Sequence, residues 1–314
     1  MENKKCAPSK IYSDGSCFTL EAIKSIVQSY NKNAKNSIEI SDNKSEMCKQ
    51  LEIAFSDKCN TQLCWTRLSV VQEIENEYIK EDIEKATFRP DGPKKRYEWL
   101  STSDIYDVIS QYQYKYNDFV FLGALPADFE ELPILGISNL NFNDFEKEGK
   151  TKLGMVINLD DSRGNGSHWV ALFINLKEGL IYYFDSVGTK PYERTKKFIN
   201  KIVKYLYNKK YKKDIDINKL LKITNVILDF SKFNKKYISD SKNTILEPIN
   251  NMKAFDIRYN STQHQTGNSE CGVYSINFIV RLVGGESFND IVNNITKDKE
   301  VNKCRTVYFN NVNF

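Results

Sequence analysis

Residues 168 to 186 read "HWVALFINLKEGLIYYFDS". Two apolar runs, "HWVALFINL" and "LIYYFDS", flank "KEG", a short turn containing Gly179. That is the pattern of a β-hairpin. The first run begins at His168 and the second ends at Asp185, 17 residues later. A hairpin folded about 176–179 carries both to the same end, within a few residues of register. At about 3.3 Å of rise per residue, a small offset still permits a side-chain hydrogen bond. A carboxylate beside an imidazole fixes its tautomer and raises its basicity. A structural histidine beside Trp169 and a strand-end turn residue are the plainer readings of each residue alone. Their matched positions make the pair worth following.

Working outward, further strands are expected at "DFVFLG", "LGMVINLD", "KITNVILDF" and "AFDIRYN", with a helix over 192–208. The chain closes with helices over 271–283 and 286–296. Antiparallel strands with helices on either side give an α+β fold. "STSDIYDVISQYQYKY" reads as a helix capped by Thr102 or Ser103. "FRPDGPKKR" (88–96) cannot continue a helix and marks a boundary, giving an arm over 1–92 and a main domain over 93–314. The arm reads as helical: Leu20, Ile23, Ile26, Val27 and Tyr30 form one stripe, and Leu68, Val71, Ile74 and Tyr78 another.

The second chemical stretch is "QHQTGNSECGVYSINFIVRLVGG" (263–285). Cys271 opens an apolar helix, with Val273, Ile276, Ile279 and Val280 on its buried side. A helix N-terminus offers unpaired N–H groups and the positive dipole end, which favour a thiolate. A nearby imidazole would take the thiol proton. Gly272 allows close backbone approach. Gln265, six residues before the cysteine, can join the Cys271 N–H in holding an oxyanion, although Gln263 competes. An inert core cysteine is the ordinary alternative.

Composition limits what else the chain can be. It has 314 residues, 40% hydrophobic and 27% charged, with net charge +4. No apolar stretch approaches the ~18 residues of a membrane span. The opening "MENKKCAPSK" lacks an apolar leader, so no secretion is expected. Seven cysteines suggest free thiols and an intracellular setting. "CNTQLC" (59–64) is poorly spaced for zinc and has no histidine near it. With two histidines, at 168 and 264, there is no HExxH, and no phosphate-binding Gly-rich loop is present. No metal or cofactor is expected. "RTKKFINKIVKYLYNKKYKKD" (194–214) is a basic amphipathic helix: a solvated face, or an electrostatic landing site for an acidic partner or a polyanion, with weak nucleic-acid binding.

The ordered set "HW…FDS…Q…ECG" resembles the ubiquitin-like-protein-specific protease superfamily, which includes deSUMOylating enzymes, the adenovirus protease and polyprotein proteases of large DNA viruses. "EWLSTSDIYDVISQYQ" is similar to the family's opening Trp-Leu and first helix, so the resemblance covers about 94 to 314. It implies a papain-like or adenain-like core, a mostly antiparallel sheet flanked by helices. It also implies His168 as base, Asp185 as its orienter, Cys271 as nucleophile and Gln265 in the oxyanion hole. Trp169 would pack beside the site. Trp99 would help roof a narrow channel for a small-residue tail, since glycines pass where a Cβ would clash. Glu270, in place of the usual aspartate, and the helical arm are similar to the viral branch. The expected function is an endopeptidase cutting after Gly-Gly or Ala-Gly in viral structural precursors, in the host cytoplasm or the virion. Alternatives are an isopeptidase acting on ubiquitin-like modifiers, an acyltransferase on a similar site, and a polyanion-binding protein with a degenerate protease domain.

Overall fold

The computed structural model describes residues 12–59, 62–86, 89–211 and 255–309. The expected strand "KITNVILDF" and residues 212–214 of the basic run lie outside them. Two compact units divide at Pro90 and Asp91.

The first unit holds α1 (Leu20–Asn31), α2 (Lys44–Phe55), α3 (Gln62–Trp65), α4 (Ser69–Gln72) and α5 (Glu77–Ala86). Thr19 caps α1 by accepting from Ala22 N, and Asn43 caps α2 by accepting from Glu46 N. The α1 stripe, Ile23, Ile26 and Val27, is buried with Met47, Leu51, Phe55 and Trp65. Tyr30, Phe55 and Trp65 meet edge-on in sequence. The run from Cys64 to Ala86 departs from one long helix. Leu68 is extended ahead of α4, and the Asn76 side chain accepts from Tyr78 N and Ile79 N, starting α5 afresh. Val71 and Ile74 are buried as the stripe requires, whereas Tyr78 faces solvent.

The cysteines of this unit correct the free-thiol expectation. Cys59, after α2, and Cys64, in α3, have Cα atoms 5.5 Å apart and form a disulfide. Cys17 is also disulfide-bonded. The odd total hid these pairs. Cys48, Cys271 and Cys304 are free.

The second unit begins with α6 (Thr102–Ile109) and α7 (Tyr112–Lys115). Ser101, not Thr102 or Ser103, caps α6. Its Oγ accepts from Asp104 N, and the Asp104 carboxylate accepts from Ser101 N. There follow β1 (Phe119–Leu125), α8 (Phe142–Lys147), β2 (Lys152–Asn158), β3 (Trp169–Asn175), β4 (Leu180–Phe184), α9 (Glu193–Tyr211) and β5 (Asp256–Tyr259). The chain ends through α10 (Cys271–Val283), α11 (Phe288–Asn293), α12 (Asp298–Lys303) and α13 (Arg305–Tyr308).

The sheet order is β1-β2-β3-β4-β5. The two inner ladders, β2–β3 and β3–β4, are antiparallel, and the two outer ones are parallel. Period-2 alternation divides β3 between two cores. Trp169, Ala171 and Phe173 pack with α10 residues Val273, Ile276 and Ile279. Val170, Leu172 and Ile174 pack with Phe198, Ile199, Ile202 and Val203 of α9. Every residue of β3 is buried, as expected for a strand covered on both faces. This α+β layering sets β3 directly against the helix that begins at Cys271.

Candidate active site

The β3–β4 register pairs Ala171 with Phe184, so one further step places Asp185 opposite Val170, two residues from His168. The backbone at His168 is held from the other side, where Leu159 N donates to His168 O at 2.9 Å. From these fixed positions His168 Nε2 donates to Asp185 Oδ1 at 2.7 Å. Asp185 is fully buried, and its Oδ1 also accepts from Val187 N at 3.0 Å. The carboxylate therefore holds the ring by Nε2 and leaves Nδ1 for a second partner.

Cys271 lies close enough to act on that ring. Burial alone pulls the His168 pKa down, but hydrogen bonds to Asp185 and to the Cys271 side chain, with their charges, outweigh it and push the value up to about 9. The structure thus brings His168, Asp185 and Cys271 together. Cys271 is the first residue of α10, and the first backbone bond of that helix runs from Tyr274 N to Glu270 O. The amides of Cys271, Gly272 and Val273 precede it and have no partner within the helix.

The loop between β5 and α10 supplies Gln265. It is buried, whereas Gln263 is exposed and donates through Nε2 to Gln265 O at 2.7 Å. Gln265 Nε2 donates to Gly267 O at 3.0 Å. A primary amide carries two such hydrogens, so one remains.

The segment before α6 forms the opposite wall. The Trp169 indole N–H donates to Leu100 O at 2.9 Å. A Cβ on Gly272 would lie 3.0 Å from the Leu100 Cβ, so the glycine lets the two segments approach closely. Trp99 is 46% exposed, next to this contact. Arg305, fully buried, donates through Nη2 to Glu98 O at 2.8 Å and to Ser269 O at 3.1 Å, tying that wall to the turn before Cys271. Glu270 is buried as well, accepting from Ser269 N, Ser269 Oγ and Asn302 Nδ2.

Sequence reasoning missed Arg305 and Asn260. Asn260 Oδ1 accepts from Asp185 N at 2.8 Å, and its Nδ2 donates to Asp185 O at 2.6 Å. Its side chain continues the β4–β5 ladder one step beyond Tyr259, fixing the backbone that carries the carboxylate. Its place directly after the last strand was the available signal; nothing in its spacing pointed to Asp185. The second histidine, His264, is structural. It is buried edge-on against Phe184, and burial lowers its pKa.

Among the described residues, no group of three metal-ligating side chains forms, and no helix is long and apolar enough to cross a membrane. The basic helix α9 is paired against acidic neighbours. Arg194 meets Glu131, Lys201 meets Glu130, Lys209 meets Glu146, and Lys196 meets Glu193 of its own first turn.

A thiol on the first turn of a helix, with an imidazole and a carboxylate at the end of a hairpin, defines the class of thiol hydrolases. Residues 150–313 match the model of the Ulp1 protease family, C-terminal catalytic domain. A protein of Acanthamoeba polyphaga mimivirus named as a thiol protease is 30% identical over 323 residues, covering 98% of this chain and 93% of its own. The SUMO-1 cysteine protease of African swine fever virus is 23% identical over 242 residues, 71% of each chain. The crystal structure of an African swine fever virus protease superposes with a TM-score of 0.53 at 18% identity, covering 98% of this chain and 95% of that one. The chain belongs to the Ulp1 protease family, and it is a thiol protease with viral relatives.

Proposed function

We propose that this protein is a cysteine endopeptidase that cleaves after small residues, of the Gly-Gly or Ala-Gly kind, in viral structural precursors. The observation that carries the mechanism is His168 standing between Asp185 and Cys271. With the thiol proton of Cys271 already on the His168 ring, the sulfur forms a bond to the scissile carbonyl carbon. The carbonyl electron pair moves to oxygen. Gln265 Nε2–H and the Cys271 backbone N–H hold that oxyanion, each such donor contributing about 3 kcal/mol in the transition state. As the pair returns, the C–N bond breaks and the amine leaves with the proton from His168. Neutral His168 then takes a proton from water, the hydroxide attacks the thioester, and the thiolate departs beside the protonated ring. Asp185 orients the ring throughout.

The preference for small residues is supported by the resemblance of Trp99 and Leu100 to the family's opening Trp-Leu, with Leu100 packed against Gly272 beside the nucleophile. Trp169 braces that wall through its indole bond. Turnover of x-Gly-Gly-x and x-Ala-Gly-x peptides tests the reading. Cleavage abolished by Cys271→Ala supports it, and cleavage retained in that variant removes it.

A second reading rests on the name of the African swine fever virus relative, a SUMO-1 cysteine protease. The same chemistry would then release a ubiquitin-like modifier from a lysine. Capture by modifier-based electrophiles with little turnover of short peptides selects that reading.

A further inference from the structure

Gln265 can donate to an oxyanion only if its amide is turned so that nitrogen, not oxygen, faces the reacting carbonyl. Two contacts decide which way it turns. Ser186, next to Asp185 and 1% exposed, donates through Oγ to Gln265 Oε1 at 2.6 Å. At the other end Gln265 Nε2 donates to Gly267 O at 3.0 Å, and a backbone carbonyl only accepts. The flip is therefore fixed by chemistry, not left to either orientation.

Both ends are themselves held. Ser186 O accepts from His264 N at 2.8 Å and from Gln265 N at 2.9 Å, so Ser186 grips the glutamine by backbone and by side chain. The turn it occupies lies against the loop so closely that a Cβ on Gly188 would come within 3.0 Å of Thr262 C. At the far end, Asp298 in the first turn of α12 accepts from Thr266 N at 2.9 Å, Thr266 Oγ1 at 2.6 Å and Gly267 N at 2.7 Å. Tyr274 Oη donates to its other oxygen at 3.0 Å.

We infer that Ser186 and Asp298 are positioning residues that form a two-ended clamp on the Gln265 amide, leaving one N–H aimed for the oxyanion. The inference rests on the protease reading above and deepens it. Ser186 also joins the two halves of the site, since the residue before it holds His168 while its own hydroxyl sets the amide.

The test compares kcat and KM for an x-Gly-Gly-x peptide in wild type, Ser186→Ala, Asp298→Asn, Gln265→Ala and the double variant Ser186→Ala/Gln265→Ala. Alkylation of Cys271 by iodoacetamide, which needs the thiol and imidazole but forms no oxyanion, runs alongside as a check on the folded site. Ser186→Ala and Asp298→Asn are each expected to lower kcat about tenfold to a hundredfold, short of the loss of the donor itself, with KM within about twofold. Alkylation is expected to stay at the wild-type rate. In the double variant, Ser186→Ala should add less than about twofold to the loss from Gln265→Ala. Unchanged kcat in Ser186→Ala, or a full multiplicative loss in the double variant, overturns the clamp while leaving the protease reading in place. Turnover that survives Cys271→Ala overturns both.

Discussion

At the scale of single residues, the chemistry turns on one imidazole. His168 rises from its ordinary 6.5 to about 9 because two acidic partners hold its protonated form against the burial that opposes it. Folding therefore favours the protonated ring. Its contribution to stability, on the order of 3 kcal/mol at most, is complete below about pH 6.5 and is lost as pH rises through about 9. Urea unfolding at about pH 6 and about pH 9.5 should show this loss in wild type and much less of it in His168→Gln. In catalysis the same proton goes to the leaving amine, so kcat/KM should fall on the alkaline side near pH 9. Asp185→Asn removes the stronger of the two partners. The alkaline limb should then move to lower pH, and kcat should drop by about 10² to 10⁴. A pH–rate profile that keeps its alkaline limb in Asp185→Asn contradicts this assignment.

At the scale of elements, the hairpin and α10 were legible because each carries its signal locally. Two continuous apolar runs about Gly179 marked the β3–β4 hairpin, and the apolar stripe after Cys271 marked a helix over 271–283, the bounds it adopts. Partners brought together by the tertiary fold were not legible. Asn260 lies 75 residues from Asp185 and Arg305 lies 36 from Ser269, and no period or motif links either pair. The arm helix read across Leu68 to Tyr78 failed for a local reason. Asn76 offers its own side chain to the following amides and outcompetes helix continuation. The tight seam between the β4 turn and the 261–263 loop gives a prediction of its own. Gly188 has φ +80°, and a Cβ there would press within 3.0 Å of the Thr262 backbone. Gly188→Ala should cost about 1–3 kcal/mol in denaturant unfolding and lower kcat more than it raises KM, because the seam carries Ser186. Wild-type stability in that variant would show that the seam bears no strain.

At the scale of the whole molecule, a sheet buried on both faces fixes β3 while the site is assembled at the strand ends and the first turn of α10. The charge pattern has a consequence here. Four basic side chains of α9 face carboxylates, which leaves the helix less able to attract phosphates than its sequence suggests. Binding to duplex DNA should accordingly be weak, with a shallow dependence on salt; a steep slope, of the kind given by six or more phosphate contacts, would contradict that. The central claim is the meeting of Cys271 and His168. Its most direct test treats the 314-residue chain with a peptide ending in a Gly-Gly electrophile and locates the adduct by mass spectrometry. The expected result is modification of Cys271 alone, with Cys48 and Cys304 untouched, and loss of modification in His168→Ala. An adduct on another cysteine, or one that forms equally well without His168, would contradict the account.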